Sequence, residues 1–171
     1  MTRLWHHFHD VWLYVALLIP VAVLVTIALA RLRPSRSWER SIAEVGMVFG
    51  TLPWAWMILT PLRLPPNSIT VYLVPFSDLS HDRDVFQIVG NLLVLFAFGV
   101  FAPVRFAALR SLTRLALVGL AIALTLELMQ HLFVAGRVFS VDDVWLNALG
   151  CVLGGLVTRR RWRPDPATIS A

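Results

Sequence analysis

Five apolar runs constrain this chain more than any other feature: Val11 to Ala30, Ile42 to Leu59, Val85 to Val104, Leu115 to Val134 and Val144 to Thr158. A helix needs about 20 apolar residues to cross a hydrocarbon core of about 30 Å. Lipid offers no hydrogen-bond partners, so the backbone must satisfy itself within each crossing helix. The runs therefore predict an all-α fold, a polytopic integral membrane bundle of five transmembrane helices. Composition agrees: 58% of residues are hydrophobic and 15% charged, with a mean hydropathy of +0.73, too little charge to cover a soluble surface. The fifth run is short. About 15 residues at ~1.5 Å each reach ~22 Å, so the polar residues before it are expected to dip into the membrane.

The net charge of +5 comes from arginines grouped between the apolar runs. A nucleic-acid partner is not expected, because that would need a continuous basic face. "RLRPSRSWER" holds four arginines, "VRFAALRSLTR" three and "RRRWR" four, with two or one in each intervening loop. The excess of positive charge on cytoplasmic loops predicts an N-out, C-in topology. Both the Thr60 to Asp84 loop and the Ala135 to Asp143 loop then lie outside. The "ALAR" at the end of the first run resembles a signal-peptidase site, but its arginines follow the run, so no cleavage is expected. The chain divides into a first helix with its Arg-rich loop over 1–40, a helical membrane domain over 41–158, and a basic tail over 159–171. The tail, above all "RPDPATISA", is expected to be disordered. The long outer loop carries Pro65 and Pro66 and the apolar "VYLVPF", which suits it to the outer interface.

Polar groups within the runs are costly and therefore informative. Glu127 lies ~10 Å below the outer boundary by residue rise, and Gln130 and His131 follow at i+3 and i+4 on the same helix face. Asn91, in the third run, reaches ~9 Å, a matching depth. Asp143 and Asn147 are i and i+4 in the fifth run, and Gly150 and Gly154 continue that face as a small-residue strip that lets another helix approach closely. The short loop with Arg137, Ser140, Asp142 and Asp143 closes over these groups. Asn91 and Gln130 are also explained by interhelical hydrogen bonds, and one of the two aspartates by capping of the fifth helix, which leaves the other free. Arg137 reads as a counter-ion for the acids or for lipid phosphate.

Other features have plainer readings. Glu44 stands four residues after Arg40, the spacing of a helix-surface pair. "GMVFG" with Pro53 reads as close packing and a kink. Cys151 is expected to be a packing residue. "HHFHD", His6 to Asp10, reads as an interfacial terminus. Neither it nor Glu127 with His131 makes a full ligand set, so no metal and no cofactor are expected.

The "VPF" of Val74 to Phe76, "GNLLVLFAFGVFAP", "ELMQ" and "RVFSVDDVWLNALGCVLGG" together resemble the VanZ-like family of bacterial membrane proteins. The likeness covers roughly the last 90 residues before the tail, with Phe98–Gly99 where members often carry proline-glycine. The resemblance carries over Asn91, Glu127, Gln130, Arg137, Asp142, Asp143, Asn147 and Gly150. It implies a multi-pass protein of the bacterial cell membrane, in a family whose prototype lowers susceptibility to teicoplanin and which has no established biochemical activity. The leading expectation is a protein that binds or remodels an amphipathic cell-envelope ligand at the outer leaflet, such as a lipid-linked cell-wall precursor or a glycopeptide, with membrane lipids as its surroundings. An intramembrane enzyme or proton-coupled transporter using Glu127 ranks below it, since no serine, cysteine or metal set accompanies that carboxylate. A purely structural scaffold is the third alternative.

Overall fold

The computed structural model describes residues 2–33, 38–59, 71–75, 85–134 and 139–162, with the side chains of 2–12 and of Phe86 left aside. Among the described residues, five helices are long and apolar enough to cross a membrane: α1 (Thr2–Leu32), α2 (Trp38–Leu59), α3 (Val85–Arg105), α4 (Leu112–Phe133) and α5 (Val141–Thr158). Two short 3-10 turns, Ala107–Leu109 and Arg159–Trp162, lie after α3 and α5. The predicted helical membrane bundle is thus the observed architecture.

The helix ends depart from the apolar runs for physical reasons. No proline or glycine interrupts residues 2–10, and α1 accordingly begins at Thr2, so that "HHFHD" belongs to a helix. At 31 residues α1 is ~46 Å long, well beyond the hydrocarbon thickness. α5 starts at Val141, three residues before its apolar run. Its 18 residues span ~27 Å, which removes the shortfall computed from the run alone. The tail begins with the 3-10 turn Arg159–Trp162, not with irregular chain. Trp162 packs back onto the core, and its Nε1 donates to Thr158 Oγ1 at 3.3 Å. Residues 163–171 lie outside the described residues.

α5 is the centre of the bundle. Half of its spanning segment is buried, against 6% for that of α1. It packs most extensively on α3, then on α4, while α2 covers another face of α3 and α1 rests on α2. α3 and α5 run parallel at very close range, which small residues make possible. A methyl group on Gly150 would collide with the Leu92 carbonyl, one on Gly154 with that of Phe96, and one on Gly99 with that of Cys151. Gly46 and Gly50 do the same for α2, facing the Phe101 ring and Ala97 of α3. Cys151 is fully buried, with its Sγ 3.8 Å from the Leu115 carbonyl oxygen and its side chain against Gly119. It is the packing residue expected.

A small parallel strand pair joins the connections at one end of the bundle. β1 (Val71–Tyr72) pairs with β2 (Phe139–Ser140), Val71 opposite Phe139 and Tyr72 opposite Ser140. The long 60–84 connection is thereby tied to the turn between α4 and α5. Val71, Leu73, Val74 and Pro75 are exposed there. This end is called the loop end below, and the opposite one the arginine end.

Candidate functional site

At the loop end the bundle buries a polar cluster. Asn91, Glu127, Gln130, Ser140, Asp142, Asp143 and Asn147 are all buried, Glu127 to 2% exposure. α3 supplies Asn91, α4 supplies Glu127 and Gln130, and α5 supplies Asp142, Asp143 and Asn147. The Asn91 amide donates to Asp143 Oδ1, joining α3 to α5. Glu127 Oε1 accepts the main-chain N–H of Ser140 at 2.8 Å, joining α4 to β2. The Asn147 amide donates back to the Asp143 carbonyl at 2.8 Å, while its Oδ1 is buried without a partner among the described residues. Arg137 lies outside the described residues.

Two partners escape the sequence reading because they are main-chain groups. Gln130 Nε2 donates at 3.1 Å to the carbonyl of Ile58, next to last in α2. The final carbonyls of a helix have no intrahelical donor, so Gln130 acts as a C-cap for α2. The second is the N–H of Ser140. Ser140 is the N-cap residue of α5, and both aspartates lie within the first turn of that helix. Neither is therefore the N-cap, and Asp143, held by Asn91, is not free. They still favour the positive end of the helix macrodipole. The spacing Ser140-x-x-Asp143 resembles a capping box and marks this start in the sequence, but the box is not formed: the Ser140 side chain makes no cap hydrogen bond, and its N–H goes to Glu127.

His131, the third member of the Glu127 stripe, stands edge-on to Phe139 with ring centroids 6.2 Å apart. Its Nδ1 is buried and has no partner among the described residues. Among the described residues no three His, Cys, Asp or Glu side chains are grouped so as to hold a metal ion.

Glu44 is not paired with Arg40, which is exposed. Its carboxylate instead bridges Arg33 at the end of α1 and Arg105 at the end of α3. The chain reverses between α1 and α2, which puts Arg33 and α3 closer to Glu44 than the exposed face of its own helix. Arg33 also donates to the buried hydroxyl of Ser41 at 3.2 Å.

Five apolar helices around a buried polar cluster, closed at one end by a strand pair, define a multi-pass membrane protein. The VanZ/LLP1 family model matches residues 47–162, about two thirds of the chain, and the chain belongs to that family. The match reaches back into α2, beyond the segment that carries the resemblance in the sequence. Neither the curated proteins nor the solved structures yield a match to the chain.

Proposed function

We propose that this protein engages an amphipathic ligand of the bacterial cell envelope at the outer leaflet, a lipid-linked precursor or a lipoglycopeptide, with the loop end facing outward. One observation carries the reading: Asn91, Glu127, Gln130, Asp142, Asp143 and Asn147 come from three helices to a single end of the bundle. Amide and carboxylate groups suit the hydroxyl and amine donors of such head groups, and the exposed Val71, Leu73 and Val74 beside them suit an acyl chain. Glycopeptide resistance is the physiological setting that the family suggests. Purified protein tested with a fluorescent lipid-linked precursor and with a lipoglycopeptide decides the matter. The Glu127→Ala, Arg137→Ala double variant is expected to lose binding, and binding equal to wild type would remove these residues from the ligand site.

A structural reading is favoured by a different observation. The Asn91–Asp143, Glu127–Ser140 and Gln130–Ile58 bonds each join two elements of the fold. On this reading the cluster fastens the loop end, and single variants lose function only in proportion to lost thermal stability. Unimpaired stability combined with lost binding selects the ligand reading over it.

A further inference from the structure

The arginine end holds a second charged constellation, separate from the polar cluster. Glu44 lies six residues into α2, ~9 Å from its start. One of its oxygens takes Arg33 and the other takes Arg105. Two guanidinium groups thus share one carboxylate, and the triad keeps a formal charge of +1. Arg105 uses only Nε toward Glu44, so its two terminal amino groups have no partner among the described residues, and its guanidinium lies 4.9 Å above the Phe106 ring. The three side chains are 25–32% exposed, half sunk where the ends of α1, α2 and α3 meet. Both arginines stand at helix C-termini, whose negative dipole ends hold them in place.

We propose that this triad binds the phosphodiester of an anionic phospholipid in the leaflet at the arginine end. The leftover charge of +1 matches the single negative charge of a phosphodiester, and the free guanidinium fork matches its two non-bridging oxygens. An acyl chain then lies along α2 beside the triad, where the exposed Val48 follows Glu44 at i+4 on the same helix face. The head group is anionic and not zwitterionic because, among the described residues at this end, the arginines outnumber the two acids, Glu39 and Glu44, one of which the triad already consumes. An ammonium-bearing head group would meet like charge. Basic pockets between membrane helices are a general setting for such head groups.

The full chain in detergent is titrated with phosphatidylglycerol, phosphatidylcholine and soluble glycerol phosphate, reading thermal unfolding and the lipid retained in native mass spectrometry. Phosphatidylglycerol is expected to bind and phosphatidylcholine is not. Arg105→Gln is expected to weaken phosphatidylglycerol binding about tenfold, the worth of a charge-assisted contact, while Arg40→Gln leaves it unchanged. Equal losses from the two variants would show only a diffuse basic surface and overturn the site. Equal response to the two lipids overturns it as well, and a response to glycerol phosphate matching that to the lipid would make free phosphate the ligand. Should Arg105→Gln fail to fold, Glu44→Gln decides instead: removing the competing carboxylate is expected to tighten phosphatidylglycerol binding about tenfold, and unchanged or weaker binding overturns the proposal.

Discussion

At the scale of single residues, the carboxylate of Glu127 matters through the group it accepts. The Ser140 N–H is buried, and a buried donor left without an acceptor carries its full desolvation cost. Glu127→Ala is therefore expected to destabilise the protein by about 1–2 kcal/mol, the upper range for hydrogen bonds inside membranes. Glu127→Gln keeps an acceptor oxygen at the same reach and is expected to cost less than half as much. Thermal unfolding in detergent measures both, and equal losses would mean that the negative charge, not the acceptor, is what the site requires. Gln130 differs because its partner, the Ile58 carbonyl, sits at a fraying helix end. Its loss falls locally on the end of α2.

At the scale of elements, the parallel α3–α5 contact depends on backbone meeting backbone. Gly150→Ala places a methyl group against the Leu92 carbonyl, which cannot move without its helix, whereas Gly46→Ala meets the edge of the Phe101 ring, which can turn aside. Overpacking costs about 1–3 kcal/mol where neighbours yield and more where they do not. Gly150→Ala is accordingly expected to lower the yield of folded protein, and Gly46→Ala to be milder. A reversed order in a thermal-unfolding comparison would contradict the close approach. The strand pair makes a separate prediction. Val71 and Phe139 are direct partners, a spacing within the reach of a disulfide. A Val71→Cys, Phe139→Cys variant is expected to form that disulfide under mild oxidation, seen as a gel shift or by mass spectrometry after digestion. Cys151 is buried too deeply to compete. Failure to cross-link would mean that the long connection is not docked on the α4–α5 turn.

At the scale of the whole molecule, one end gathers arginines and the other gathers the polar cluster and the strand pair. This asymmetry fits the cytoplasmic preference of basic loops, and the proposed orientation follows from it. A cysteine introduced at Thr2 is expected to react with a membrane-impermeant maleimide on intact cells, and one at Ala171 only after permeabilisation. The opposite pattern would place the polar cluster in the inner leaflet and with it exclude an outer-leaflet ligand. α1 contributes least to the bundle, with 6% of its spanning segment buried. The family match also begins after it, at residue 47. The family match thus covers the later part of α2 together with α3 to α5, while α1 leans on α2 and is held at the arginine end by Arg33 and Glu44.

Hydropathy alone determined that there are five helices and roughly where they run, because the cost of exposing backbone to lipid leaves a long apolar run no alternative. Helical periodicity and depth likewise brought Asn91, Glu127, Gln130, Asp143 and Asn147 to one level, since rise per residue is nearly constant whatever the packing. Three things were decided only by tertiary structure. Gln130 and Glu127 bind main-chain groups of Ile58 and Ser140, and every residue type carries the same main-chain groups, so no side-chain pattern announces them. Glu44 takes Arg33 and Arg105 in place of Arg40, because partners on other helices reach the buried side of α2 and Arg40 does not. Ser140 begins α5 and docks β1 because strand pairing joins segments nearly seventy residues apart, through backbone hydrogen bonds that leave no periodicity in either segment.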